Sequence, residues 1–208
     1  MPLQLTKEFI QESLQKAYRP DVIAAADREA DYYDKVRLKC AAVLIPLAWW
    51  KDEWHLVFTR RTETVEHHKG QVSFPGGGCE LNESSPEATA LREAYEEIGL
   101  EPENVRLLGR LNDVLTITGF RVTPVVGTIL WPFPIRLEAA EVGRVFIIPI
   151  TWLSDQQNWE EKPLTPPGVT RAIPVITYHV YDGEILWGAT ARITHNFLTV
   201  LGLLQGDG

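Results

Sequence analysis

The stretch Gly78-Cys79-Glu80-Leu81-Asn82-Glu83-Ser84-Ser85-Pro86-Glu87-Ala88-Thr89-Ala90-Leu91-Arg92-Glu93-Ala94-Tyr95-Glu96-Glu97-Ile98-Gly99-Leu100 decides how the rest of the chain is read. Pro86 suits the first position of a helix capped by Ser84 or Ser85, and Gly99 suits its left-handed end, so a helix is predicted over 86–98. Ala88, Leu91, Ala94, Tyr95 and Ile98 give that helix an apolar side. Glu93, Glu96 and Glu97 stand at i, i+3 and i+4 and therefore share an arc of about 100°. The expectation is a helix docked on a sheet by its apolar side, with the carboxylates presented outward. Directly upstream, Phe74-Pro75-Gly76-Gly77-Gly78 supplies backbone able to approach a ligand closely.

Working outward from the helix, strands dominate. Leu38–Ala48 and Glu53–Arg61 flank Trp49-Trp50-Lys51-Asp52 and read as a hairpin. Further strands are predicted at Val105–Leu111, Arg121–Leu130, Arg144–Ile150, Ile173–Tyr181 and Glu184–Trp187, the last two joined through Asp182-Gly183. A second helix is expected over Ala189–Leu204 and a third over Leu5–Tyr18, closed by Arg19-Pro20. Residues 21–39 read as a loop or short helix. The Pro-rich pieces Trp131-Pro132-Phe133-Pro134 and 162–168 read as loops. Together these give an α+β fold, an α/β/α sandwich around a mixed sheet of about seven strands. The expected organisation is an N-terminal helical extension over 1–37 and a domain over 38–208, compact as a whole.

Composition bounds the function. With 208 residues, 45% hydrophobic and 23% charged, the chain has the balance of a globular protein, not of a disordered or disulfide-rich scaffold. The longest apolar runs, Cys40–Trp50 and Val125–Ile135, are about half the length of a membrane span and contain Pro, so no membrane role is expected. The N-terminus lacks a basic region followed by an apolar stretch, which makes the cytoplasm the expected compartment. There Cys40 and Cys79 would stay unpaired. A net charge of −8 speaks against nucleic acid as a partner. Most of that charge lies between Cys79 and Asn104, where eight Glu face the single Arg92. The segment is either a solvated acidic face or a binder of cations.

Oxygen-only donors on one rigid face suit a hard ion such as Mg2+ or Mn2+. Zinc does not fit, since His67-His68, Cys40 and Cys79 lack ligand spacing. No Walker loop, dinucleotide glycine element or His-Glu-x-x-His helix is present.

Gly78–Leu100, with Arg92-Glu93-Ala94-Tyr95-Glu96-Glu97-Ile98-Gly99-Leu100, resembles the Nudix box: Gly, five residues, Glu, seven residues, then Arg-Glu-U-x-Glu-Glu-x-Gly-U with U aliphatic. Counting back from Arg92 places Ser84 where the pattern has its first Glu, with Glu83 one residue off register, so Glu83 and Glu80 are support candidates. Upstream, Phe58-Thr59-Arg60-Arg61-Thr62, Gly70 and Phe74-Pro75-Gly76-Gly77 are similar to the extra motif of coenzyme A pyrophosphatases, with Thr62 in place of Ser/Ala and Glu66 in place of the second Arg. Gly119–Pro124, Glu141-Val142 with Val145-Phe146, and Trp187–Arg192 look like the same subfamily.

The resemblance implies hydrolysis of the pyrophosphate of coenzyme A or acyl-CoA into 3′,5′-ADP and a 4′-phosphopantetheine. Glu93, Glu96 and Glu97 would be the ligands of Mg2+ or Mn2+. Glu93 would also orient or deprotonate the attacking water, with Glu141 as the second candidate for that role and Glu138 a third. Arg92 would hold the carboxylates in place. Arg61, Lys69, Gly70, Gly76, Gly77 and Arg121 would contact substrate. Two alternatives stand beside this: a Nudix hydrolase acting on ADP-ribose or NADH, and a non-catalytic nucleotide-binding module. A small nucleoside diphosphate is the expected partner, and the many Trp residues leave a homodimer contact open.

Overall fold

The computed structural model describes residues 5–20, 22–24, 38–62, 70–165 and 172–204. Helix α1 (Lys7–Ala17) starts at Thr6, whose hydroxyl accepts the Phe9 N–H, and buries Ile10 and Leu14. The strands are β1 (Ile23–Ala24), β2 (Lys39–Trp50), β3 (Glu53–Arg61), β4 (Val72–Ser73) and β5 (Gly76–Gly78), followed after helix α2 (Pro86–Ile98) by β6 (Arg106–Arg110), β7 (Asp113–Leu115), β8 (Phe120–Ile129) and β9 (Val142–Pro149). Helix α3 (Ile150–Ser154), β10 (Trp159–Leu164), β11 (Ile173–Tyr178) and α4 (Gly188–Val200) complete the described elements. Among the described residues β1 to β9 form one nine-stranded mixed sheet, and β10 and β11 an antiparallel pair beside it.

The β2–β3 hairpin closes through Lys51 and Asp52, both at positive φ (49° and 65°), as a tight turn between twisted strands requires. The turn is thus two residues, shorter than the four read from the sequence. Period-two alternation along the strands sorts the core into two layers. From β2, Ala41, Ile45 and Leu47 face α1 and α4, while Ala42, Leu44 and Ala48 face α2. In β3, Leu56 and Phe58 join the first layer and Val57 the second. The α+β sandwich around a mixed sheet is therefore what the chain builds.

A wedge in this sheet creates the site. Strand β2 pairs with β3 only over 47–50 and with β5 over 41–43, while β3 turns to β4 at Thr59 and Arg60. The two strands diverge, and residues 72–78 fill the gap, anchored by buried Phe74 and by the Leu44 N–H bonded to Pro75 O (2.8 Å). Gly76 is obligatory there, because a Cβ would stand 2.5 Å from Ala42 O.

Several sequence expectations change. Cys40 and Cys79 are not free thiols: they form a disulfide with Cα atoms 5.4 Å apart, because β5 pairing brings residue 79 alongside the start of β2. Residues 162–164, read as loop, continue β10, whose Pro163 lies opposite Pro174 so that neither ring removes a needed donor. Segment 21–39, read as loop or short helix, contributes β1, parallel to β7. Beyond Tyr178 the second C-terminal strand is reduced to bridges at Thr177–Trp187 and Tyr181–Glu184, although Asp182-Gly183 makes the expected turn.

Candidate active site

Helix α2 forms as its sequence prescribes: Ser85 Oγ accepts the Ala88 N–H, Pro86 opens the first turn, and Gly99 closes the helix at φ 70°. Its rotation about the axis differs from expectation. The buried side holds Ala90, Ala94, Ile98 and also Glu97, which is only 4% exposed, whereas Tyr95 lies outside. The three carboxylates do not all face solvent. They grade from exposed Glu96 through half-buried Glu93 to Glu97, tucked beneath the glycines of the wedge.

Those glycines make the room. The Gly76 N–H donates to Glu97 Oε2 at 3.3 Å. A Cβ at Gly77 would fall 2.5 to 2.7 Å from the Glu93 carboxylate. Gly76 and Gly77, expected to face substrate, are thus also the seat of the acidic helix.

Arg92 ties the face together. Its Nε donates to Glu83 Oε1 (2.8 Å), Nη1 to Glu96 Oε2 (2.7 Å), and Nη2 to Glu93 Oε1 (2.8 Å) and Gly78 O (3.0 Å). Glu83 in turn accepts the Glu80 N–H (2.7 Å) and the Thr89 hydroxyl (2.6 Å). Burial alone would raise the Glu83 carboxyl, but the Arg92, Thr89 and Glu80 hydrogen bonds outweigh it and hold it at about 2. Glu83 therefore fills the place that Ser84 leaves open, and Glu80 contributes its backbone. Counted from Gly77, Glu83 stands in register with the box, and the one extra residue is absorbed between it and Arg92.

From the opposite side, period-two alternation along β3 puts the neighbouring Arg60 and Arg61 on opposite faces of the sheet, beside a bulge in β9 where Gly143 is the extra residue. Arg61 Nη1 lies 4.0 Å from Glu97 Oε1 and Nη2 3.6 Å from Glu141 Oε2, while its Nε is buried and takes no hydrogen-bond partner among the described residues. Glu141 is exposed and arrives on a strap, residues 131–141, whose Arg136 and Glu138 N–H groups bond Ile98 O and Glu97 O at 3.0 Å each. Thr62 secures the end of that strap: its N–H donates to Glu141 O and its hydroxyl to Ala140 O, both 2.9 Å. Thr62 registered in the sequence only as a departure from a motif, and Thr89 carried no signal at all.

The remaining expected site residues sit differently. Gly70 (φ 64°) donates its N–H to Thr62 O at 3.4 Å and closes the loop at the end of β3. Arg121 is paired with Asp113, which also accepts the Thr123 hydroxyl, so the structure does not bring it to the carboxylates. Lys69, with Glu66, His67 and His68, lies outside the described residues.

Among the described residues two cations thus face five carboxylates. Burial, with Glu93 next to it, pushes Glu97 up to about 8; Gly76 and Arg61 only partly oppose this. Burial also raises Glu93 against the pull of Arg92. Among the described residues no three His, Cys, Asp or Glu side chains converge as a ready-made ion cage. The donor set nevertheless fits a hard divalent ion: all its ligating atoms are oxygens, and its most buried member is held in water's absence by one backbone N–H and a distant guanidinium.

Residues 39–164 match the NUDIX domain, and the chain belongs to the Nudix family. It is 34% identical to a protein of Enterobacter sp. strain 638 named as uncharacterized Nudix hydrolase NudL, over 82% of this chain and 86% of that one. A protein of the same name from Cronobacter sakazakii is 36% identical over 78% and 82% of the two chains. The crystal structure of a MutT/nudix family protein from Enterococcus faecalis overlays with a TM-score of 0.48 at 16% identity, covering 95% of this chain and 80% of that chain.

Proposed function

We propose that the protein is a Mg2+- or Mn2+-dependent pyrophosphohydrolase that splits coenzyme A or acyl-CoA into 3′,5′-ADP and the (acyl-)4′-phosphopantetheine. The observation that carries the hydrolase reading is the charge excess at α2: a buried Glu97 beside Glu93 and Glu141, facing Arg61 at 4.0 Å, while Arg92 is taken up by Glu83, Glu93 and Glu96. A binding module has no use for such a costly arrangement. When bound, the ion supplies charge neutralisation for the diphosphate and a more acidic water.

The chain's own residues do the remainder. Glu93, Glu96 and Glu97 would hold the ion. Arg92, bonded to Glu83, Glu93 and Glu96, holds these carboxylates in one fixed arrangement. Glu93 orients the attacking water and takes its proton, with Glu141 in reserve on the strap. Arg61, whose contacts to Glu97 and Glu141 are long and whose Nε is unspent, is placed to turn to a phosphate oxygen. Water attacks one phosphorus, the bond from that phosphorus to the bridging oxygen breaks, and the second phosphate leaves with the electron pair. No covalent enzyme intermediate is required.

Coenzyme A is favoured by Arg61, Gly70 and Phe74-Pro75-Gly76-Gly77 ahead of the box. ADP-ribose or NADH is the second reading, favoured by Glu66 where the motif has Arg. Parallel incubation with coenzyme A, ADP-ribose and NADH in Mg2+, with product analysis, tests the choice. The expected products are 3′,5′-ADP and 4′-phosphopantetheine; preference for ADP-ribose rejects the substrate and keeps the reaction class.

A further inference from the structure

The Cys40–Cys79 bond joins two segments that the site needs held together. Cys79 follows Gly78, whose carbonyl accepts Arg92 Nη2 at 3.0 Å, and Gly77, against which the Glu93 carboxylate packs. It precedes Glu80, whose N–H donates to Glu83 at 2.7 Å, and Glu83 holds Arg92 Nε at 2.8 Å. Every polar reference point of Arg92 other than its own helix thus lies within the segment 78–83. Upstream that segment is fixed by β5, through the pairs Ala41–Gly78, Ala42–Gly77 and Val43–Gly76. Immediately past β5, where ladder pairing stops, one hydrogen bond from the Cys79 N–H to Cys40 O (3.1 Å) and the disulfide tie the segment to β2 among the described residues. Cys40 is exposed and Cys79 half-buried, so a small reductant reaches the bond.

We propose that the Cys40–Cys79 crosslink is a positioning element of the carboxylate face, setting the affinity of Glu93, Glu96 and Glu97 for divalent ions, and that a dithiol reductant lowers that affinity by opening it. The inference rests on the reading of these glutamates as ion ligands. In the step, a thiolate of the dithiol attacks one sulfur and the Cys40–Cys79 bond breaks. The second reductant thiol resolves the mixed disulfide, leaving two protein thiols and one oxidised, cyclic reductant. With only the Cys79 N–H bond to Cys40 O left beyond β5, residues 79–83 gain conformations in which Glu83 no longer meets Arg92 while Gly78 O still does, and the carboxylate face loses its fixed arrangement.

Mn2+ binding followed by electron paramagnetic resonance tests this on the full chain, oxidised and after dithiothreitol treatment and desalting, with the C40S/C79S variant as a permanently open form. The expected result is a Kd for Mn2+ about 5- to 10-fold higher in the reduced protein and in C40S/C79S, with the variant indifferent to reductant. In turnover, saturating Mn2+ should restore kcat to the reduced enzyme. Equal Kd in oxidised and reduced protein overturns the proposal and leaves the ion site standing. Absence of Mn2+ binding in the oxidised protein overturns both. Loss of near-ultraviolet circular dichroism on reduction, with kcat not restored by saturating ion, shows damage to the fold instead of tuning and also overturns it. Should C40S/C79S not fold, the reduced wild-type chain decides alone.

Discussion

Arg60 and Arg61 are neighbours in β3, yet they serve two charge clusters of opposite design. On one face Arg60 and Arg144 meet Asp182 and Glu184: Arg60 Nε lies 3.5 Å and Arg144 Nη1 3.2 Å from Glu184, and Arg144 also pairs with Asp182. Among the described residues two cations match two anions, and the cluster ties the 181–184 turn to the sheet. On the other face Arg61 and Arg92 meet five glutamates, one of them buried and raised to about 8. The balanced cluster belongs to the fold. The unbalanced one costs stability that packing elsewhere must offset, and such a cost is retained where chemistry needs it.

The largest way to break the comparison is Glu97→Gln. It should reduce Mg2+-dependent turnover on the order of 10³-fold, since an ion ligand supplies several kcal/mol to the transition state, while the ion-free variant melts no lower than wild type. Turnover near wild type would take Glu97 out of the site. Next is Gly77→Ala, which drives a methyl into the Glu93 carboxylate; a displacement of that size should lower kcat on the order of 10²-fold. An unchanged kcat would show that Glu93 is free to move.

The pH dependence of stability separates the two clusters without mutation. Glu97 sits at about 8 in the folded chain against an ordinary 4.5, so between those values the native state keeps a proton that the unfolded chain has released. Stability of the ion-free protein should therefore fall as pH rises through this window, by at most about 1.4 kcal/mol per unit, and level off above it. Saturating Mg2+ should flatten the slope. Denaturant melts between pH 5 and 9 give the answer, and a flat profile without ion would contradict the raised carboxyl. The smallest effect belongs to the balanced side: a double-mutant cycle on Arg144→Ala and Asp182→Ala should return a coupling of about 0.2 to 1 kcal/mol with turnover unchanged. A large loss of activity there would erase the distinction.

What the sequence could and could not say follows the range of the interactions. Both ends of α2 were legible because Ser85 and Gly99 act on their own turn, and β2 was legible as a strand but not its two faces, since residues 40–48 are apolar on both. Spacing also placed Glu93, Glu96 and Glu97 on one arc, but not the turn of that arc under Gly76, which depends on a wedge between strands far apart in the chain. The same distance hid the Cys40–Cys79 bond, 39 residues apart, and the capture of Arg121 by Asp113. Glu83 was ambiguous because a loop can absorb one extra residue where a helix cannot. Arg61 was recognisable by its motif, and Glu141 by the stretch Glu141-Val142 with Val145-Phe146 that resembles the same subfamily. Thr62, which anchors the Glu141 end of the strap, works through main-chain atoms of residues 140 and 141 that no side-chain pattern reveals.

The strap over 131–141 takes its register on α2 from two main-chain hydrogen bonds, Arg136 to Ile98 and Glu138 to Glu97. The length of the strap beyond these two bonds therefore sets where the Glu141 carboxylate falls. One residue gained or lost between 136 and 141 would slide Glu141 off its mark as a misprinted ruler shifts every reading beyond the error.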